Sequence, residues 1–296
     1  MNRIAAIVIL YNYDKIKFLL NLDSYKSQVI HVFIIDNSDD ELIKERVHWF
    51  EDDSKISYVL LNENKGVAYA LNIGINIAIQ NQFQWAITFD QDSVVPDLLI
   101  KRMYSVLSSN DYKLIGIISP NISLFKDCYA DSQGPEIEEM KYVITSGSLM
   151  NLEAFNNVGA FDEKMFIDWV DVEYCLRLRE NGYQILMLKK LILNHQIGNS
   201  KEVKFFGCHL LFTHNHAPFR TYYKIRNALY VAKKYTNKFP EESKILCYSV
   251  FKEILKIIIL EDSKLEKLRF SIKGFYDYYC NNMGKLDLRN GGRSTF

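Results

Sequence analysis

Cysteine is sparse in this chain and badly placed for cross-linking. The five cysteines of 296 residues are odd in number, scattered, and form no C-x-x-C pair. That argues against a disulfide framework or a thiolate zinc site and fits a reducing cytoplasm. The thiols read as small buried hydrophobes. Net charge is missing too, with 36 basic residues facing 36 acidic ones. The basic excess that usually accompanies a nucleic-acid partner is therefore absent. No apolar run approaches the ~20 residues that span a bilayer. The best candidate, Ile254 to Leu260, is broken by Lys256 and bounded by Glu253 and Glu261. The apolar start, Ile4 to Leu10, is too short for a signal-peptide core and continues into a strand-like pattern. No repeat or low-complexity tract is evident. Residues 10–20 lack glycine, which counts against a nucleotidyltransferase, whose early phosphate loop is usually Gly-rich and basic.

What the chain does have is a large apolar content, 48%, enough for a sizeable core. Strands are expected at 4–10, 29–36, 56–61, 85–90 and 114–119, buried at 4–10, 29–36 and 85–90, and helices at 40–52, 66–81 and 97–109. Strand–helix alternation of this kind predicts an α/β fold, a mostly parallel central sheet with helices on both faces. In such sheets a ligand sits beyond the carboxyl ends of the strands. Those ends carry Tyr11-Asn12, Asp36-Asn37-Ser38, Asn62 to Gly66, and Asp90-Gln91-Asp92. From about residue 218 the pattern turns helical, with stretches at 219–236, 241–260 and 264–282. Two domains are expected, 1–217 and a helical C-terminal extension, 218–296.

FDQDS puts Asp90 and Asp92 on one side of an extended segment. Two carboxylates aimed at one place repel, and a hard divalent cation shared with a diphosphate relieves that repulsion. A solvated turn is the bland alternative for a D-x-D taken alone; its position after a buried strand favours the metal clamp. The small residues Gly66, Ala68 and Ala70 either let backbone approach a ligand or serve tight helix-on-sheet packing.

Taken in order, AIVILYN, FIIDNSDD, NENKGVAYALNIGI, WAITFDQDS, ITSGSLMN, FIDWVDVEYCLRLRENGY and LNHQIGN resemble the family 2 glycosyltransferases over about residues 3–230. TFDQDS and HAPFRTYYKIRN lean toward the bacterial rhamnosyltransferase branch. The resemblance implies the GT-A fold and an inverting sugar transfer dependent on Mg²⁺ or Mn²⁺. Its donor would be a nucleotide-diphospho-sugar, dTDP-L-rhamnose, with UDP-galactofuranose or a UDP-hexose as alternatives. Its acceptor would be a saccharide, a lipid-linked precursor of a surface polysaccharide such as O-antigen or capsule. A non-catalytic nucleotide-sugar-binding module is the rival from another class. By residue, the resemblance puts Asp90 near the donor ribose, Asp92 on the metal, Asp36 at the base, Tyr11 on the loop lining the base pocket, and Gly66 at the nucleotide. Ser146 and Gly147 would line the acceptor side, and His195 would be a further metal ligand.

Inverting transfer also needs a base to take the acceptor's proton. By resemblance that is Asp171, with Glu173 either sharing the role, orienting the acceptor, or pairing with Arg177 one turn on. Asp168 belongs to the same acidic stretch, where the resemblance puts it on the acceptor side, and reads equally well as a helix-start carboxylate stabilised by the dipole. Around Pro218, a suitable first-turn residue, free amides with His216 and Arg220 could hold a phosphate of donor or acceptor. An amphipathic surface helix with packed tyrosines and solvated cations is the alternative. Lys252, Lys256, Lys264, Lys267, Arg269 and Lys273 are set among apolar residues, so the last helices could lie on an anionic membrane. Ordinary packing or dimerisation explains the same pattern. A cytoplasmic protein is expected, or one peripheral to the inner face of the cell membrane.

Overall fold

Seven consecutive apolar residues leave a strand no face for water, and β1 (Ile4–Leu10) is buried along its whole length. The computed structural model describes residues 3–39, 49–50, 52–109, 112–123, 136–194, 201–205, 208–213 and 215–287. In it β1 lies between two parallel neighbours, β2 (His31–Asp36) and β4 (Trp85–Asp90), and β3 (Ile56–Leu60) pairs with β2. Between these strands run α1 (Lys15–Lys26), capped by the Asp14 carboxylate accepting from Lys17 N at 3.0 Å, and α2 (Val67–Gln80). After β4 comes α3 (Leu99–Ser109). Most of the charged helix expected at 40–52 lies outside the described residues.

The far half of the sheet departs from simple alternation. β5 (Ile115–Ser123) and β8 (Gln184–Asn194) are parallel to each other. β7 (Ser148–Asn151) inserts antiparallel between β4 and β5, and β6 (Ile137–Glu139) pairs antiparallel with β8. The order is β3-β2-β1-β4-β7-β5-β8-β6. After β7, Asn151 caps α4 (Leu152–Val158), and α5 (Val170–Glu180) precedes β8. Alternation along β1 sorts the packing. Val8 joins Ile34, Phe89 and the α1 residues Phe18, Leu22 and Tyr25 in one core. Ile7 faces α2, where a Cβ on Gly74 would stand 2.4 Å from its Cγ2. Helices thus cover both faces, as the sequence predicts.

Contacts divide the chain into two compact units. The first, Met1–Phe161 with Asp171–Ser200, holds the eight-stranded sheet. The second joins Asp162–Val170 to Lys201–Phe296. It contains the hairpin β9 (Lys201–Phe205) and β10 (Cys208–Thr213), which the sequence pattern does not announce, and α6 (Pro218–Tyr235), α7 (Pro240–Ile259) and α8 (Lys264–Tyr279). Prolines open α6 and α7, where their missing N–H costs nothing. Ile225 and Ala228 of α6 pack on Val250 of α7. Gly274 lets α8 approach α6 so closely that a Cβ would meet the Tyr222 carbonyl at 2.7 Å. Among the described residues, no helix is long and apolar enough to cross a membrane.

Candidate active site

The four parallel strands β1 to β4 end at one edge of the first unit, and hydrogen bonds stitch their loops together. Asn37 N donates to Leu10 O at 2.8 Å, and Asn12 N donates to Ser38 Oγ at 2.9 Å. The Asn37 side chain accepts from Lys65 N at 2.8 Å and donates to Asn64 Oδ1 at 3.1 Å, which ties in the loop after β3. Asn64 Oδ1 also accepts from Gly66 N at 3.0 Å. Gly66 starts α2 with φ +92°, a conformation that suits a residue without Cβ. Asn72 of α2 exchanges two hydrogen bonds with the Phe161 backbone, at 3.0 and 2.9 Å. Its amide fixes the chain just before the unit boundary.

Asp36 is sealed within this edge. Its carboxylate has no solvent exposure, Oδ1 accepts from Ser38 N at 2.9 Å, and Oδ2 accepts from the Tyr58 hydroxyl of β3. A buried charge is tolerated only when hydrogen-bonded in this way. Tyr11, by contrast, is exposed. Its N–H donates to Gln91 Oε1 at 2.8 Å, and Asn21 Nδ2 donates to Gln91 O at 3.0 Å. β4 stops at Asp90 and Ser93 N donates to Asp90 O at 3.1 Å, so Gln91 and Asp92 form a turn where the sequence suggests an extended segment, and Gln91 anchors that turn to the loop after β1.

The other side of that turn is held by the stretch ITSGS. Ser93 and Ser146 hydroxyls are 2.8 Å apart, both buried. Gly147 N donates to Thr88 O at 2.7 Å, and Thr88 Oγ1 donates to Thr145 O. Gly147 has φ +76°, and a Cβ there would come within 2.5 Å of Leu193 Cδ2, so only glycine fits. Thr145 and Ser148 line a small cavity, about 10 Å³, together with Asp171, Tyr174 and Cys175. That is near the least space a water needs. Burial pushes the Cys175 thiol up to about 12, which keeps it an inert core residue. The structure thus brings Tyr11, Asp36, Gly66, Asp90, Asp92, Ser146 and Gly147 into one bonded edge, with Asp171 beside the ITSGS turn.

The two acids of α5 have different surroundings. Asp171 is half-buried and accepts from Val172 N at 2.9 Å. Glu173 is wholly buried and forked onto Arg177, with Nε to Oε1 at 3.2 Å and Nη2 to Oε2 at 2.7 Å. Arg177 also donates to Val158 O and Ala160 O. Of the readings open for Glu173, the geometry realises the pairing with Arg177.

Asp90 and Asp92 supply hard oxygen donors, which suit Mg²⁺ or Mn²⁺ completing its shell with substrate phosphate and water. Among the described residues no group of three or more His, Cys, Asp or Glu could hold a metal by itself. His195 lies outside the described residues.

In the second unit, Asp168 and Arg220 meet each other. Arg220 Nε donates to Asp168 Oδ1 and Oδ2 at 3.1 and 3.2 Å, and Nη2 to Oδ1 at 3.1 Å. The turn that carries Asp168 is strained: Phe166, Asp168 and Trp169 have φ of +64°, +62° and +66°. Such values cost roughly 1–3 kcal/mol each and persist only when the surroundings dictate them. Here α6 dictates them. Asn227 Nδ2 donates to the carbonyls of Met165, Ile167 and Asp168 at 2.7, 2.7 and 3.2 Å. Arg226 donates to Lys164 O and Met165 O, Trp169 Nε1 donates to Lys224 O, and Phe166 stacks on Tyr223. Arg226 and Asn227 are wholly buried, and the Arg226 guanidinium also lies 4.9 and 5.1 Å from the Tyr222 and Tyr223 rings. The second half of R-x-Y-Y-x-x-R-N is therefore not a solvated surface face but a clamp on residues 164–169. Sequence reasoning misses this role, because a buried arginine has no signature in a single sequence. It also misses the anchoring bonds of Tyr58, Gln91 and Ser93, because partners tens of residues away leave no mark in local spacing.

A family profile described as "Glycosyl transferase family 2" matches residues 6–159, the part that carries this strand edge. The chain is 27% identical to the dTDP-rhamnosyl transferase RfbF of Shigella flexneri, over 99% of this chain and 98% of that protein. In fold it is similar to S. aureus TarS 1-349, with TM-score 0.60 and 12% identity over 93% of this chain and 80% of that one. It is also similar to the mannosyltransferase PcManGT from Pyrobaculum calidifontis in complex with GDP-Man and Mn²⁺. There the TM-score is 0.57, with 14% identity over 96% of this chain and 76% of that one. By the match to more than half its length and by its architecture, the chain belongs to glycosyl transferase family 2 and has the GT-A fold.

Proposed function

We propose that the protein transfers a sugar, with inversion, from dTDP-L-rhamnose to a saccharide acceptor, a lipid-linked precursor of a surface polysaccharide. The observation that carries this reading is the double anchoring of the acidic turn. Gln91 ties it to the loop after β1, and Ser93 ties it to the ITSGS turn, which adjoins Asp171. Diphosphate ligands and a proton acceptor thus have neighbouring supports within one unit. The near full-length similarity to a dTDP-rhamnosyl transferase supports the choice of donor.

A divalent cation held by Asp92, with Asp90 beside it and His195 as a proposed further ligand, would offset the charge that develops on the departing diphosphate. PcManGT in complex with GDP-Man and Mn²⁺ supports that choice of cofactor. Asp171 takes the proton of the acceptor hydroxyl as its oxygen attacks the anomeric carbon. Glu173, occupied by Arg177 and shut from solvent, holds α5 in shape. Asp36 fixes the edge on which the base would rest, Tyr11 offers an exposed ring there, and Gly66 gives close backbone approach. Ser146 and Gly147 shape the acceptor side, and Asp168 orders its own turn. Arg220 is a proposed phosphate contact.

The test is a calorimetric panel of nucleotide sugars with and without Mn²⁺ or Mg²⁺, run on the intact chain and on Asp92→Asn. The expected result is cation-dependent binding of dTDP-L-rhamnose that the substitution weakens. Tighter binding of UDP-galactofuranose or a UDP-hexose would reassign the donor. Binding of none of them would sink the reading.

A further inference from the structure

The outward faces of α7 and α8 are apolar, where a helix face in water is ordinarily polar. On α7, Ile245, Tyr248, Leu255 and Ile259 recur at helical spacing, and Phe251 and Ile258 widen the stripe. Their exposure runs from 39% at Leu255 to 60% at Phe251. On α8 the stripe is Leu265, Ile272, Phe275, Tyr276 and Tyr279, reaching 88% at Tyr279. These are not the faces that hold the second unit together. Val250 and Ile254 of α7 pack toward α6, and α8 uses Gly274 and Asp277, the latter accepting from the Tyr222 hydroxyl at 2.8 Å.

The charges beside these stripes point to one occupant. Lys252 lies within the α7 stripe with Nζ 4.7 Å from the Tyr248 ring centroid, and Lys244 stands two turns before it. Arg269 flanks the α8 stripe, as does Lys273, which is paired with Asp277 at 2.7 Å and holds its Nζ 5.7 Å from the Tyr276 ring. The exposed acids Glu241, Asp262 and Glu266 are confined to the first turns of the two helices and the turn between them, where a helix dipole accounts for acid. The core of a protein interface is depleted in lysine, so lysines spread through a stripe disfavour a second copy of this chain. Lysines that snorkel beside tyrosines suit the boundary between lipid headgroups and acyl chains, and an anionic headgroup layer complements their charge.

We propose that the outward faces of α7 and α8 dock the protein on the surface of an anionic phospholipid bilayer. The inference does not depend on the transferase chemistry. Flotation of the full chain with vesicles tests it, comparing pure phosphatidylcholine with phosphatidylcholine mixed with phosphatidylglycerol. About tenfold or more protein should float with the anionic vesicles, and ~0.5 M salt should release much of it by screening. Phe251→Glu with Ile258→Glu replaces exposed residues only; it should keep the helical circular dichroism and lose flotation about tenfold. Lys252→Glu with Arg269→Glu should abolish the preference for anionic vesicles. Absence of flotation with both vesicle types overturns the proposal, as does flotation unchanged in both variants. Light scattering that shows a dimer broken by Phe251→Glu with Ile258→Glu, in a protein that binds no vesicles, makes the face a contact between copies and overturns it as well.

Discussion

The Arg220 guanidinium is closed onto the Asp168 carboxylate, its Nε 3.1 and 3.2 Å from the two oxygens. Two residues that the sequence assigns to separate tasks, a phosphate contact and an acceptor-side acid, form one ion pair. The Arg220 side chain is 36% exposed, so water screens much of the attraction. A double-mutant cycle with Arg220→Ala and Asp168→Asn, read by urea unfolding, should give a coupling of about 1 kcal/mol or less. A coupling several times larger would mean that the pair is a structural keystone and that a phosphate could not compete for Arg220.

Asp171→Asn keeps the size of the side chain and removes its basicity. Donor binding by calorimetry should be unchanged, while turnover should fall by about 10²- to 10⁴-fold. Unchanged turnover would remove Asp171 from the chemistry.

Glu173→Gln should behave in the opposite way. It leaves the Arg177 guanidinium short of a buried partner, and breaking such a pair costs roughly 3–5 kcal/mol. The denaturation midpoint should drop clearly, with turnover per folded molecule within a few-fold of the parent. A large loss of turnover in a fully stable variant would give Glu173 a share of the base role.

Asn227→Ala strips the shared donor from the Met165, Ile167 and Asp168 carbonyls. Met165 O keeps Arg226 and Ile167 N, but the partly buried Ile167 and Asp168 carbonyls lose this donor at a cost of ~1–3 kcal/mol, and the strained turn loses its restraint as well. Unfolding in urea should show a destabilisation of about 2–4 kcal/mol. A change below ~0.5 kcal/mol would show that the Arg226 and Trp169 contacts hold the turn unaided.

His31 gives a pH dependence whose sign can be stated. Partial burial, next to the Phe33 ring at 4.7 Å, holds its imidazole below the ordinary 6.5, and Asp53 opposes that shift more weakly. The unfolded chain therefore takes up a proton that the folded chain resists. Stability from this group is fully present above pH ~6.5 and is lost as the pH falls below it. Between pH ~7 and ~5 the thermal midpoint of the parent should fall more steeply than that of His31→Asn. Parallel slopes would remove His31 as a cause.

Much of the architecture is legible in the order of residues alone. IAAIVIL and WAITFD can only be strands covered on both faces, and the helices at 66–81, 219–236 and 241–260 stand within a residue or two of their predicted ends. Those signals are local: an unbroken apolar run or a 3.6-residue repeat constrains a segment whatever surrounds it. The antiparallel β7 is not legible, because pairing direction depends on where a chain turns back in space, and SGS only permits the turn. The β9–β10 hairpin falls between recognisable motifs.

The candidate site divides in the same way. Sequence alone determined which residue types stand where the parallel strands end, since order along the chain fixes which loops share that edge. It thereby supplied Asp90, Asp92, the ITSGS stretch and Asp171, and with them the family. Only the tertiary structure decided how those groups are occupied: Tyr58 and Ser38 enclose Asp36, Arg177 takes Glu173, and Asn227 holds the turn of Asp168. Tyr58 and Asn227 stand 22 and 59 residues from the acids whose surroundings they set, while Ser38 and Arg177 lie close by. Hydrogen bonding and burial depend on distance in space, which spacing along a chain does not encode, and so the identity of the acids was legible while their availability was not.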